Sequence, residues 1–388
     1  MSEGNNDNSP VVSRRTFLKV TALSIPTAAA AVVIARKLAP HLSESAADIP
    51  PILDSTDQEQ KIELQIGKPE AINFQGVQWY PDGHTSFIKR DDGSIAVWFA
   101  GGPYGYMATA RNLNSLGGEV RQVLNPGSRE SFDRNYAAPG SVIPGRNNQL
   151  LMLYHGEYHP QTPNHFPFNS GIGIAVSGDG GASWQKKGQI LKGKNDQPAT
   201  DRVYGAGQPC AIIKGDYVYM YYIDWNGQEP DALHLARSPI DADCAPNSWE
   251  KFNNGKFENT GMNGPSTPVI LPSERAGYAA LPGVSWNSYL NKFLAVIESK
   301  DGFYITTSTD GIDWAKSKKL LGLKTANNDP KTGETWNSYP TLLSSDKSSD
   351  RETGKDMILI YSEGLWNSGP HRMMKRPISM MPSKRNKN

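Results

Sequence analysis

Pro139-Gly140-Ser141-Val142-Ile143, Gln149-Leu150-Leu151-Met152-Leu153-Tyr154, Gly171-Ile172-Gly173-Ile174-Ala175-Val176 and Ser177-Gly178-Asp179-Gly180-Gly181-Ala182-Ser183-Trp184 follow one another between Tyr136 and Trp184. The first three are apolar runs of strand length. A turn at Gly145 to Asn148 separates the first pair, a polar tip carrying His155, Glu157 and His159 the second, and a glycine-rich turn closes the unit. The spacing predicts an antiparallel meander. The same form recurs at Pro209 to Asp224 around Tyr217-Val218-Tyr219-Met220-Tyr221-Tyr222, at Pro282 to Glu298 around Lys292-Phe293-Leu294-Ala295-Val296-Ile297, and at Pro340 to Glu363 around Asp356-Met357-Ile358-Leu359-Ile360-Tyr361. A copy without the proline starts at His84 and runs through Ile95-Ala96-Val97-Trp98-Phe99. Units of this kind bury their apolar faces only against one another, so the repeat predicts an all-β fold of five stacked copies.

Composition agrees. With 37 Gly and 28 Pro, long helices are excluded as the main element, and β-branched and aromatic residues gather in short runs. The net charge of +1 gives no electrostatic reason to expect nucleic acid or an anionic membrane surface as partner. Cys210 and Cys244 amount at most to one disulfide. At the N-terminus Ser13-Arg14-Arg15-Thr16-Phe17-Leu18-Lys19 precedes a moderately apolar run from Val20 to Ile34 and the small residues Ser45-Ala46-Ala47, the pattern of a twin-arginine export signal. Residues 1–47 are therefore expected to be that signal, read by the twin-arginine translocase. Residues 48–70 are expected to be a flexible lead-in and 71–388 a single domain, working in the periplasm or outside the cell without stable membrane insertion after cleavage.

Two turns carry a resemblance. Ser177 to Trp184 and Ser308-Thr309-Asp310-Gly311-Ile312-Asp313-Trp314 are similar to the Asp box, Ser-x-Asp-x-Gly-x-Thr-Trp, of sialidases and related propellers, the second being one residue short. In such a turn the aspartate accepts backbone N–H bonds and the tryptophan packs between blades, so these boxes speak for architecture and not for an active site. With the repeats, they make the stretch from about Trp79 to Met380 resemble the five-bladed β-propeller glycosidases typified by family 43 arabinanases and xylosidases. The resemblance implies a five-bladed propeller of four-stranded blades and hydrolysis of O-glycosyl bonds. Sialidases fit less well, being six-bladed and carrying an Arg-Ile-Pro motif absent here. Family 43 enzymes place acids beside the proline at the start of the innermost strands of the first three blades. Here Ala138 and Gln208 precede Pro139 and Pro209, so the family's acids do not carry over.

Blade geometry supplies other acids. The innermost strand starts, and its antiparallel neighbour ends, on the same face of a propeller. Asp82, Asp133, Asp201, Glu274 and Glu334 lie just before first strands; Glu157, Asp224, Glu298 and Glu363 lie at the ends of second strands. Glycoside hydrolysis needs one protonated and one ionised carboxyl group, about 5 Å apart for retention or ~6.5–9.5 Å for inversion. Crowding separates their pKa values. Asp133, Glu157, Asp201 and Asp224, from two adjacent copies, are the expected catalytic acids. Asp133 and Asp201 share the phrase Asp-Arg-x-Tyr, which as a repeated phrase also fits a structural part.

His84, Arg134, His155, Arg202, Trp225, Glu298 and Trp366 are the expected substrate contacts, the tryptophans offering flat faces to sugar C–H surfaces. His155, Glu157 and His159, with His165 nearby, stand at alternating strand positions and face one way. That would also suit a metal, although no metal ligand set is assigned. Related hydrolases sometimes hold a central divalent cation such as calcium, so His84 either hydrogen-bonds substrate or lies over an ion. Two further readings stay open. A polysaccharide lyase would use His155 or His159 as base with Arg134 or Arg202 neutralising a uronate; a non-catalytic glycan-binding propeller would keep the aromatic rim and need none of the acids.

Overall fold

The computed structural model describes residues 51–54, 61–160, 167–195, 197–226, 230–273, 277–322, 335–365 and 371–383. Among them regular structure is β throughout, in sheets of four, nine, five and six strands, apart from single 3-10 turns at Leu113–Ser115 and Ile240–Ala242. No helix among the described residues is long and apolar enough to cross a membrane. The export segment, Glu274, Glu334, His165 and Trp366 lie outside the described residues.

Each sheet is built on an antiparallel meander. Ser86–Lys89, Ile95–Gly101, Tyr104–Ala110 and Arg121–Leu124 form the first. The nine-stranded sheet contains two, Tyr136–Pro144 to Gln185–Lys192 and Tyr204–Lys214 to Lys256–Thr260. Among the described residues their strands pair only where Asn169 and Ser170 run parallel to Tyr204 and Gly205. Glycine is required at that junction: Gly205 has φ 104, and a Cβ there would sit 2.0 Å from the Ser170 carbonyl oxygen. Ala280–Asn287 to Lys318–Gly322 make the next meander.

The last sheet pairs Thr335–Leu343, Asp356–Leu365 and Arg372–Pro382. Its next strand comes from the other end of the chain: Lys61–Ile66 pairs with Arg372–Pro382, and Ile52–Asp54 pairs outside it. The expected flexible lead-in over 48–70 is thus corrected. Ile62 and Leu64 are buried in alternation with exposed neighbours, a period-2 pattern too short to stand out in a polar stretch whose partner is so distant in sequence.

Middle strands such as Ile95–Gly101 are buried along their whole length, because each meander is covered on both faces. Trp98 and Met107 pack on Met152 and Tyr154; Leu151 and Leu153 on Val218 and Met220; Tyr221 and Ile223 on Phe293 and Ile297. Val296 and Phe303 then meet Leu359 and Met374, and Ile360 and Met373 return to Val97 and Phe99. The apolar cores therefore run in a closed cycle. Sheet-on-sheet burial of this kind, ~25 cal/mol per Å² of apolar surface, is the main source of stability.

The innermost strands present a free edge to the centre of that cycle, and their unpaired N–H groups need acceptors. Small side chains supply them. Val142 N donates to Ser86 Oγ (3.0 Å), Ala211 N to Ser141 Oγ (2.7 Å), Val284 N to Cys210 Sγ (3.2 Å) and Thr85 N to Thr341 Oγ1 (3.3 Å). Cys210 and Cys244 are both buried and free of any disulfide, and burial pushes each thiol up to about 12.

At the prolines the register slips, between Pro139 and Val142, Gly207 and Cys210, Ala280 and Gly283, and Ser338 and Thr341. A bulge is where a strand tolerates a residue without an N–H. In three of these strands the residue before proline is left-handed: Gln208 (φ 57), Leu281 (φ 50) and Tyr339 (φ 56). Their side chains line a small axial opening with His84, Pro282 and Pro340.

The turn at 177–184 ties neighbouring sheets together. Asp179 accepts from Ser183 N (2.9 Å) and Ser183 Oγ (2.6 Å), which holds its carboxyl down at about 2. The Gly181 carbonyl accepts from Trp184 Nε1 of its own turn and from Trp98 Nε1 of the preceding sheet. The turn at 308–314 repeats this: Gly311 O accepts from Trp314 Nε1 and Tyr221 OH.

Candidate active site at the axial rim

Antiparallel pairing brings the start of each innermost strand beside the end of the next. Tyr136 lies opposite Glu157, Ala206 opposite Asp224, Ala280 opposite Glu298 and Asn337 opposite Glu363. Each of these four acids therefore sits at the end of a second strand, beside the start of an innermost one.

Three acids there belong to one connected set. Asp82, at 7% exposure, accepts from Tyr136 OH (2.6 Å) and Tyr339 OH (2.7 Å). Tyr339 is one of the three left-handed residues of the axial opening, and its backbone N–H donates to Glu298 Oε2 (3.3 Å). Glu298 also accepts from Ser338 Oγ and from Tyr278 OH (3.2 Å). The Tyr136 ring meets His155 edge-on at 6.1 Å, and His155 Nε2 bonds Glu157 Oε1 (2.7 Å). The Gln208 N–H donates to His155 Nδ1 (3.3 Å), so that nitrogen accepts and Nε2 carries the proton given to Glu157. His159 Nε2 bonds the other Glu157 oxygen (2.9 Å) while its ring stacks on Phe168 (5.4 Å).

His155, Glu157 and His159 thus face one way, as their alternation requires, and close on one another. Among the described residues no group of three or more His, Cys, Asp and Glu is arranged to hold a metal ion. Trp225 is buried with its ring 6.1 Å from His155 and 6.4 Å from Phe168, so it walls this cluster instead of offering an open face. His84 is buried too, with Nε2 on Asp350 (3.0 Å) and Nδ1 on Thr341 Oγ1 (3.2 Å). It fastens the first sheet to the last.

Other expected residues stand apart. Asp133 is buried in an ion pair with Lys186 of the outermost strand and accepts from Ser131 Oγ (2.5 Å). Burial pulls the Lys186 ammonium down although the Asp133 bond works against it. Asp201 is exposed and lies 3.5 Å from its own neighbour Arg202, where solvent screens it and nothing crowds it. The repeated Asp-Arg phrase therefore pairs within itself only in the second copy, while in the first Asp133 turns to Lys186. Arg134 stacks its guanidinium on the Tyr158 ring at 3.4 Å and donates to Arg129 O.

Asp224 lies near the end of Tyr217–Trp225, on the strand face that carries Met220 and Tyr222. Its carboxylate is tied to Lys194 N (3.1 Å) and Ser266 Oγ (3.2 Å), and burial pushes its pKa up. Ser266 Oγ also bonds His234 Nδ1 (2.8 Å), with Lys251 and Tyr222 beside it. Serine here bridges acid and histidine, so this is not the order of a nucleophilic triad, in which histidine stands in the middle.

Burial, then the Lys251 charge, pulls His234 down to about 4. The unfolded imidazole takes a proton near its ordinary value of about 6.5, so between these limits the unfolded chain binds more protons. Stability is complete above pH ~6.5 and falls by up to roughly 3 kcal/mol as pH drops toward 4. Urea melts across this range check it: His234→Gln is expected to flatten the slope, and an unchanged slope contradicts the assignment.

Asp82 is among the acids that the sequence places just before first strands, but the expected catalytic four come from two adjacent copies and leave it out. The usable signal was tyrosine: Tyr339 directly before Pro340 and Tyr136 three residues before Pro139.

No family model matches the chain, and no curated protein matches it. Solved structures do. A family 117 glycoside hydrolase, Zg3597 of the marine bacterium Zobellia galactanivorans, superposes with a TM-score of 0.53 at 10% identity, covering 81% of this chain and 90% of that one. A thermostable family-43 glycoside hydrolase is similar at 0.46 and 11% identity, over 81% and 93%. An endo-arabinase from Bacteroides thetaiotaomicron is similar at 0.45 and 9% identity, over 82% and 98%. At such identities the likeness is one of fold.

Proposed function

We propose that the chain is an exported five-bladed β-propeller hydrolase that cleaves glycosidic bonds of a poly- or oligosaccharide at the axial rim. The two meanders of the nine-stranded sheet count as separate blades in this reading, and the turns at 177–184 and 308–314 as Asp boxes. The twin-arginine pattern supports export, with residues 1–47 removed and the mature protein periplasmic or extracellular.

The observation that carries the proposal is a chain of contacts joining three buried acids: Asp82 held by Tyr136 and Tyr339, Glu298 hydrogen-bonded by the backbone of the same Tyr339, and Glu157 between His155 and His159, with His155 meeting the Tyr136 ring edge-on. Asp82 is one member of the reacting pair, since it bonds the tyrosine of the axial opening. The other is Glu298 or Glu157. One carboxyl group gives its proton to the leaving oxygen and the other serves as base or nucleophile. The fold likeness to a family 117 glycoside hydrolase adds weight to this chemistry.

The lyase reading is weaker, because Arg134 and Arg202 are engaged by Tyr158 and Asp201 and neither lines the opening. The test is incubation with a panel of bacterial and plant polysaccharides, reading new reducing ends and unsaturated products together. Reducing ends without unsaturation support hydrolysis; unsaturated products move the chemistry to the lyase; retention of a polymer without cleavage makes the rim a binding surface.

A further inference from the structure

Gln208 joins a backbone feature shared by its counterparts in two other sheets to a side-chain feature of its own. Its backbone is held in the left-handed region at φ 57, directly before a proline, where a side chain is strained. Its side chain is buried at 4% exposure and lines the axial opening, yet its Nε2 has no hydrogen-bond partner. Leu281 and Tyr339 share the same backbone twist, but leucine has no polar atom to satisfy and the Tyr339 hydroxyl is bonded to Asp82. Strain and an unmet buried donor at one residue are the mark of a place kept for a ligand.

The missing ligand group is defined by chemistry. A carboxamide nitrogen can only donate, so its partner is an acceptor oxygen. Among the described residues that line it none is a lysine or arginine, and both ring nitrogens of His84 are bonded to Asp350 and Thr341. A uronate carboxylate would enter without a countercharge, whereas a hydroxyl or ring oxygen needs none. Gln208 also sits between the proposed acids. Its N–H bonds His155, which holds Glu157, and a Cβ on Gly83, next to Asp82, would lie 3.6 Å from its Oε1.

The geometry points to Gln208 as a specificity-determining donor: its Nε2 hydrogen-bonds a hydroxyl or ring oxygen of a neutral sugar held over the axis beside Asp82. This rests on the carbohydrate reading of the rim and narrows its substrate to neutral sugars.

Titration calorimetry of the wild-type protein, Gln208→Ala and Gln208→Gly against arabino-, xylo- and galacto-oligosaccharides and against oligogalacturonides tests it, with thermal melts of each protein. A neutral sugar is expected to bind the wild type and to lose about tenfold to hundredfold in affinity in both variants. Gln208→Gly, relieved of the left-handed strain, is expected to melt no lower than wild type. Wild-type affinity in Gln208→Ala, preference for the uronides, or absence of binding to every sugar overturns the inference. So does a Gln208→Gly protein that melts lower while keeping its affinity. Binding that depends on Gln208 without any cleavage would sink the hydrolase reading and leave this one standing; cleavage that persists at the wild-type rate in Gln208→Ala would do the reverse.

Discussion

Asp82→Asn is expected to leave a folded protein whose rate of sugar release falls by about a thousandfold or more. The magnitude is that of removing a general acid or base, ~10²–10⁴, together with the charge it carries. The change is isosteric. The Asp82 N–H bond to the Ala100 carbonyl (3.0 Å) is untouched, and the Tyr136 and Tyr339 hydroxyls can each donate to the amide oxygen or accept from the amide nitrogen. The melting temperature should therefore stay close to wild type while kcat collapses. Asp201→Asn, at an exposed carboxylate beside its own arginine, should leave both rate and stability unchanged. Wild-type kcat in a folded Asp82→Asn protein would remove Asp82 from the chemistry.

Asp350→Ala carries the largest expected effect on stability, a loss of about 3–5 kcal/mol, the range for breaking one side of a buried charge-bearing network. Asp350 is buried at 3% exposure in the loop after the last innermost strand. It accepts from His84 Nε2 (3.0 Å), Ser86 Oγ (2.9 Å) and Phe87 N (2.8 Å), at and just before the start of the first sheet. The next residue, Arg351, donates to Val142 O (2.6 Å) of the sheet after that. This is where the cycle of sheets closes, and alanine would leave three donors without their acceptor.

The same carboxylate has a pH signature. Burial opposes its ionisation, but the bond and charge of His84, the charge of Arg351 and the Phe87 N–H outweigh it and hold the pKa below the ordinary value. Its contribution is complete above the unfolded value of about 3.9 and is lost as pH falls through the lower folded one. Denaturant melts check both statements; a loss under about 1 kcal/mol, within the range of an ordinary surface change, would show that the loop does not fasten the cycle.

The meander was legible because Leu150 to Tyr154, Tyr217 to Tyr222 and Phe293 to Ile297 are buried on both faces, which makes them continuous apolar runs that need no knowledge of their partners. Lys61–Ile66 was not legible for the opposite reason: one apolar residue in two, in a charged stretch, takes meaning only from the strand at 372–382 that covers it. Pairing alone placed Glu157, Asp224, Glu298 and Glu363 each opposite the start of an innermost strand.

The selection among the acids did not follow in the same way. Asp133 and Asp201 look alike in sequence, yet Lys186 neutralises one and solvent surrounds the other. Lys186 lies in an outermost strand, and nothing in the phrase Asp133-Arg134 signals it. Asp82 could be named as a candidate, but its place in the site could not, because its two partners are tyrosines from other sheets, at sequence distances that only closure of the cycle brings together. The left-handed twist of Gln208, Leu281 and Tyr339 was likewise invisible, since proline restricts its predecessor but does not dictate this choice.

The most direct test is a crystal structure of Asp82→Asn soaked with an oligosaccharide that the wild-type protein cleaves. The account predicts a sugar over the axial opening, with the glycosidic oxygen between residue 82 and either Glu298 or Glu157 and a hydroxyl or ring oxygen on Gln208. A sugar bound on an outer face, or at the rim with its glycosidic bond out of reach of Asp82, Glu157 and Glu298 together, would contradict it.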